Sequence, residues 1–187
     1  GIDAFRRRGE ADELAESLSR TQGQIRQITP SDVENANLPR ELKYAATQLS
    51  NFSEALRLLR PLDVFEASAK LNNLLKTVQE EAQRWAKPFA NVLQDLNKEI
   101  NPLLVEKPTV LNLEHLKTQV KLIRYYLKKD LVVQAVLLAR EWLVSFLIWR
   151  LEGQVQWRER NKRLSIEKEL NCAAASQSGE KTTLPAW

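Results

Sequence analysis

Apolar residues recur along this chain at spacings of three and four, which place them on one face of an α-helix. Prolines and polar turns divide this pattern into segments. No segment alternates between apolar and polar residues as a half-buried strand does. The segments predicted to be helical are residues 3–21, 39–60, 61–86, 88–100, 111–129, 131–149 and 153–170, and residues 21–37 are predicted to be a loop. The pattern therefore predicts an all-α protein, a single bundle of six or seven helices.

The segment Leu131–Trp149 is apolar on every side of its predicted helix, with Asp130 as the N-cap. Such a helix is enclosed either by other helices or by lipid. A charged residue at mid-membrane costs about 2.5–3.5 kcal/mol, and this segment carries Arg140 and Glu141 side by side. The charges therefore favour the central helix of a soluble bundle over a transmembrane helix. The short connection to the preceding segment predicts that the two helices pack antiparallel.

A charge within an enclosed apolar helix requires a partner, so Arg140 and Glu141 are candidates for a structural ion pair. On a helical projection Gln134, Glu141 and Ser145 share a narrow stripe, whereas Arg140 lies about a quarter-turn or more away. We expect the Arg140 guanidinium to reach a carboxylate or carbonyl group on a neighbouring helix or on a second copy of the chain. Glu141 is expected to be supported from the Gln134–Ser145 stripe.

Two groups of cations are candidates for contact with RNA phosphates. The formal net charge of +4 permits nucleic-acid binding without requiring it. The first group forms a stripe along the helix predicted at 111–129, and the second follows Trp157. For both groups a solvated helix surface is the simpler interpretation. The candidate RNA-binding residues are Lys117, Lys121, Arg124, Lys128, Arg158 and Arg160.

The sequence offers little for catalysis. Its one histidine is His115, so any acid–base or nucleophilic mechanism would depend on a single imidazole, and the simplest interpretation places that imidazole on a helix surface. No residues follow the spacing of a metal site or a phosphate-binding loop, and no cofactor is predicted. Cys172 is the one cysteine and is interpreted as an inert surface thiol. A single cysteine and the absence of a secretory segment predict a cytoplasmic protein.

The chain has no methionine and begins with helix-forming sequence, so we expect it to be part of a longer protein. GIDAFRRRGEADELAESL resembles the helix that follows the CARF sensor domain of CRISPR-associated ancillary proteins of type III systems. YYLKKDLVVQAVLLAREWLVSFL, which includes Arg140-Glu141-Trp142, resembles a helix pair of their HEPN-type effector domain, and NLPRELKYAATQLSNFSEALRLLRPLDVFEASAKL is similar to the connecting helices. The resemblance implies a connecting helix at 1–22 and a HEPN-like bundle at 23–170. The composition of residues 171–187 predicts a loosely ordered tail.

In that family a cyclic oligoadenylate binds the CARF domain and activates the HEPN domain, which is usually a dimeric, metal-independent ribonuclease with an Arg and a His four to six residues apart. This chain departs from the motif, because no arginine precedes His115 at that spacing and no histidine follows Arg160. No segment here suits the CARF sheet either. The resemblance thus implies the helical effector-side domain of a cyclic-oligoadenylate-responsive defence protein, which is a ribonuclease only if the catalytic motif lies outside this chain. Two alternatives remain: a catalytically silent dimerisation or partner-binding module, and a non-specific RNA-binding bundle.

Overall fold

The computed structural model describes residues 2–28, 40–85, 87–152 and 157–177. Within these ranges the chain forms eight α-helices, one 3-10 helix at Asn101–Leu103 and no strand, which confirms the all-α class. The α-helices are α1 (Ile2–Arg8), α2 (Asp12–Ile28), α3 (Glu41–Arg57), α4 (Pro61–Trp85), α5 (Lys87–Ile100), α6 (Leu113–Lys128), α7 (Val132–Glu152) and α8 (Arg160–Gln177).

The start of the chain forms two helices where the sequence predicted one. Gly9 has a φ of 72°, and its N–H donates to the Phe5 carbonyl at 2.8 Å. A left-handed residue in this position ends a helix, so α1 stops and α2 begins in a new direction. The prediction of a loop from residue 21 is wrong for residues 21–28, which continue α2, and residues 29–37 of that loop lie outside the described residues.

Helices α1 to α5 surround the main core, with residues of α6 and α7 completing it. Two hydrogen bonds join α3 to the turn between α1 and α2. The Ser53 hydroxyl of α3 accepts from the Ala11 N–H at 3.0 Å and donates to the Gly9 carbonyl at 3.3 Å. Each fully buried large apolar side chain contributes about 1.5–3 kcal/mol. Fully enclosed members of this core are Phe5, Leu18, Leu42, Leu49, Phe52, Leu56, Phe65, Leu71, Leu93, Leu96 and Tyr126.

Hydrogen bonds at the two ends of α3 account for where this helix begins and ends. The Glu81 carboxylate of α4 accepts the N–H groups of Arg40 and Leu42 at 3.0 and 3.1 Å, which satisfies donors at the start of α3. At its other end the Arg60 N–H donates to the Ala55 carbonyl at 2.9 Å around Leu59, whose φ is 54°. Pro61 then opens α4, where its missing N–H costs no hydrogen bond.

The turn between α6 and α7 corrects the role predicted for Asp130. Asp130 has a φ of 61°, and the Leu131 N–H donates to the Tyr126 carbonyl at 2.9 Å across it. Asp130 is therefore the left-handed residue that terminates α6, not the N-cap of α7. The two helices then run antiparallel as predicted, because the Trp142 indole N–H donates to the Leu116 carbonyl near the start of α6 at 3.0 Å.

The expectation that α7 is enclosed is wrong within this chain. Its C-terminal half packs on α8, where Val144 and Ile148 form a small second core with Ile166. From Val132 to Leu143 it carries five large apolar side chains that are between 39% and 69% exposed. Among the described helices, one segment, Val132–Leu151, is long and apolar enough to cross a membrane, and only 28% of it is buried. We call the exposed set the open face of α7: Val132, Val133, Val136, Leu137 and Leu143.

Candidate association face and ligand cavity

Arg140 lies in the middle of the open face and is held from the neighbouring helix. Its Nη2 is 3.3 Å from Glu167 Oε2 on α8, and its Nη1 is 4.0 Å from Glu141 Oε1. The side chain is 54% exposed, so within this chain the charge is compensated but not buried. An ion pair of this exposure contributes little to stability. The pair does neutralise the positive charge of Arg140 among the exposed apolar side chains.

Glu141 belongs to a different and more enclosed cluster, built around Arg163 of α8. Arg163 Nη2 donates to Glu141 Oε2 at 2.6 Å, and Nη1 donates to Ser145 Oγ at 3.2 Å and to the Trp157 carbonyl at 3.1 Å. Its side chain is only 18% exposed. The structure thus brings Glu141 and Ser145 together, while Gln134 is half-buried about 10 Å earlier along the α7 axis.

The sequence places Arg163 in the group of cations that follows Trp157, and the interpretation of that group as a solvated helix surface is wrong for Arg163. One signal of its actual role was available. It lies three residues before Ile166 and seven before Leu170, so all three share the face of α8 that packs on α7. A cation on the apolar face of a helix requires a partner on the opposing helix. That signal pointed to a bridge across α7 and α8, with Glu141 as the available carboxylate.

His115 is fully buried in the core, so the expectation of a surface position is wrong. Its ring packs edge-on against Phe65 and Trp157, with ring centroids 5.4 and 5.6 Å apart. Its Nδ1 lies 3.1 Å from the Val110 carbonyl, which only accepts, so Nδ1 carries the proton and Nε2 accepts from Gln119 Nε2 at 3.0 Å. Burial lowers the pKa of the imidazole, which favours the neutral ring. Both nitrogens are thus committed to structure, and neither is free for proton transfer.

A cavity of about 560 Å³ opens beside the Arg163 cluster. Gln119 lines it and is 4% exposed, and its Oε1 has no hydrogen-bond partner among the described residues. Trp157 is half-buried at the same cavity, and its indole N–H lies 3.4 Å from the Thr109 carbonyl. The lining also includes Leu59, Arg60, Pro61, Leu62, Asp63, Leu138, Glu141, Ser145, Arg158 and Arg163.

The candidate RNA-binding cations are all exposed, and four of the six line one or other of two different cavities. Lys117, Lys121, Arg124 and Lys128 are exposed along α6, and the last three line a second cavity of about 600 Å³. Arg158 lines the first cavity, with its guanidinium 5.8 Å from the centre of the Trp157 ring. Arg160 is exposed at the first residue of α8.

A buried cation that sequence reasoning missed holds α1 against α5 and α6. Lys129 is 0% exposed, and its Nζ lies 2.6 Å from Glu99 Oε2 and 3.2 Å from the Phe5 carbonyl, to which it donates. The ammonium also lies 5.3 Å from the Phe5 ring centroid and 5.0 Å from that of Tyr125. Nothing in the local pattern separates Lys129 from its exposed neighbour Lys128, because Phe5 and Glu99 are distant in sequence.

The described residues contain no group of three His, Cys, Asp or Glu side chains able to hold a metal ion, and Cys172 is a half-buried free thiol. A family model described as the second domain of the CRISPR-associated protein MJ1674 matches residues 1–103. These residues include α1 to α5 and the 3-10 helix. No match to a curated protein is found.

Proposed function

This chain belongs to the family of the second domain of the CRISPR-associated protein MJ1674, and we propose that it serves in antiviral defence as a self-association module. Its partner is a second copy of the same chain, joined through the open face of α7. The cytoplasm is the proposed location. The signal of a cyclic oligoadenylate would reach the module from a CARF domain outside this chain, as the sequence resemblance implies.

The observation that carries this proposal is the exposure of apolar side chains on an ordered helix. Val133 is 69% exposed and Val136 is 63% exposed, although both lie on the most apolar of the described helices. Soluble monomers rarely leave contiguous apolar surface uncovered, and such patches mark association sites. Covering this face removes apolar area from water, which is the main favourable term in protein association.

The charges on this face favour a second copy as the occupant. Arg140 is the cation among these apolar side chains, and Glu167 of the same chain compensates it at 3.3 Å. In a two-fold dimer the same patch meets itself, so an uncompensated cation would face its own copy. The Arg140–Glu167 pair avoids that repulsion and leaves the apolar contacts to drive association.

The site gives less support to the hypothesis that this chain is itself a ribonuclease. The chain has one histidine, and its two ring nitrogens are engaged with Val110 and Gln119 in the core. Metal-independent RNA cleavage of the kind the resemblance implies would therefore require an Arg and a His supplied from outside this chain.

Light scattering of two matched variants tests the proposal. Val136→Glu places a charge on the open face, whereas Leu58→Glu places the same charge on the apolar C-cap residue of α3, which is 47% exposed. We expect the unmodified chain and Leu58→Glu to elute at twice the chain mass of 21.5 kDa, and Val136→Glu to elute as a monomer with unchanged helical circular dichroism. A monomeric unmodified chain, or dissociation of both variants alike, would reject the open face as the interface.

A further inference from the structure

The cavity between α5 and α6 carries more cations than carboxylates. Its volume is about 600 Å³, and the buried side chains of Phe5, Leu103 and Tyr125 form its base. We call it the α5–α6 groove. The charged side chains that line it are Asp95, Lys98 and Glu99 of α5 and Lys121, Arg124 and Lys128 of α6. Four cations therefore surround two carboxylates.

Both carboxylates of the groove are already engaged by lysines. Lys98 Nζ lies 3.4 Å from Asp95 Oδ1. The Glu99 carboxylate lies 2.6 Å from the buried Lys129 Nζ and 3.8 Å from the exposed Lys128 Nζ, so two ammonium groups share one carboxylate. These pairs leave no carboxylate of the lining for the remaining cations.

Lys121 and Arg124 are the cations of the groove that the fold leaves uncompensated. Both are exposed, and neither forms an ion pair with a described residue. Lys117 lies on the same face of α6, four residues before Lys121, and is likewise exposed without an ion pair among the described residues. With Lys128 they form a row whose members are about 4.5–6 Å apart along the helix axis. Such a row is suited to a ligand whose negative charges repeat along its length.

We propose that the α5–α6 groove binds the phosphodiester backbone of a single-stranded nucleic acid without reading its sequence. Each phosphate that meets a lysine or an arginine releases condensed counterions, which favours binding whatever the base. Lys98 stands on one helix and Lys121 and Arg124 on the other, so one strand lies between them. A nucleic acid carries a charge on every residue, whereas a peptide meets such a row only where its sequence supplies Asp or Glu.

The proposal is of binding and includes no cleavage. The groove shares no residue with the open face of α7, so the proposal does not depend on self-association. RNA and DNA have the same charged backbone, and the experiment separates them.

Fluorescence anisotropy of a labelled oligouridylate of about 12 nucleotides tests the proposal with the full chain. One double variant, Lys121→Gln with Arg124→Gln, removes the two uncompensated cations. The matched control, Lys43→Gln with Lys70→Gln, removes two exposed cations of α3 and α4 that lie outside the groove. Circular dichroism verifies that both double variants keep their helices.

The expected size of the effect follows from counterion release. For a single strand each phosphate contact contributes about 0.7 to the slope of log affinity against log salt concentration. Losing two contacts should reduce this slope by about 1.4, which corresponds to about 25-fold weaker binding at about 0.1 M salt. The control variant should bind within about twofold of the unmodified chain, because charges farther than a Debye length are screened.

Three results would overturn the proposal. They are equal losses in the two double variants, no binding by the unmodified chain at up to about 0.1 mM protein, and competition by oligoglutamate as strong as that by unlabelled oligouridylate. The last result would assign the groove to an acidic protein partner. Oligoadenylate should bind within a few-fold of oligouridylate, and a preference above about tenfold would contradict recognition of the backbone. Tighter binding of oligouridylate than of oligodeoxyuridylate identifies RNA as the ligand, and equal binding identifies the backbone of either nucleic acid.

Discussion

Replacement of Lys129 by methionine tests how a fully buried cation contributes to this fold. Methionine keeps the unbranched shape of the side chain and removes its charge. The substitution leaves the Glu99 carboxylate, which is 17% exposed, without its partner at 2.6 Å, and the Phe5 carbonyl loses a donor at 3.2 Å. Removing one member of a buried ion pair costs about 3–5 kcal/mol. For a domain of this length, that loss lowers the melting temperature by roughly 6–20 °C.

The assay is urea unfolding followed by circular dichroism, with Lys128→Met as the matched control. Lys128 is adjacent and also near Glu99, at 3.8 Å, but its side chain is 73% exposed. Its replacement should change the free energy of unfolding by no more than about 0.5 kcal/mol. Adding Glu99→Gln to Lys129→Met should recover part of the lost stability, because the stranded charge is removed. Equal stabilities of the two lysine variants would refute the reasoning.

Three further predictions concern the contacts of Arg163, Arg140 and His115. Arg163→Ala removes hydrogen bonds to Glu141, Ser145 and the Trp157 carbonyl, and should lower the free energy of unfolding by about 2–3 kcal/mol in urea titrations. At protein concentrations at which the chain is monomeric, Arg140→Ala breaks a bridge whose arginine is 54% exposed and should cost no more than about 1 kcal/mol, so a loss as large as that of Arg163→Ala in the monomer would contradict that exposure. Burial lowers the pKa of His115 in the folded chain below its ordinary value of 6.5. As the pH falls below 6.5, the unfolded chain therefore binds a proton at this residue more readily than the folded chain, and the free energy of unfolding decreases. Urea titrations at about pH 7.5 and about pH 5 should show a smaller pH dependence in His115→Phe than in the unmodified chain, and an unchanged dependence would argue against this role.

The local elements of the fold could be predicted because their signals are local. Helical spacing and the prolines at 61 and 88 place α3, α4 and α5 within a few residues of their observed bounds. The break at Gly9 is not decided by the sequence, because a glycine inside a helical pattern either continues or ends the helix. The contact of its carbonyl with Ser53, which is distant in sequence, accompanies the break.

The site was harder to predict because its members are far apart along the chain. Periodicity assigns Arg163 and Glu141 to faces of two helices, but it does not state which faces meet. The same limit applies to His115, whose neighbours Phe65 and Trp157 come from both sides of it in sequence. The same limit applies to α7. An apolar helix must pack against another apolar surface, but its composition does not indicate whether that surface belongs to the same chain.

Sedimentation equilibrium of the unmodified chain across a range of concentrations and salt tests the central claim most directly. Self-association through the open face predicts a reversible monomer–dimer equilibrium whose constant changes little between about 0.1 M and about 1 M salt, because apolar contacts are not screened. A chain that remains at 21.5 kDa at all concentrations, or a dimer that salt dissociates, would contradict it.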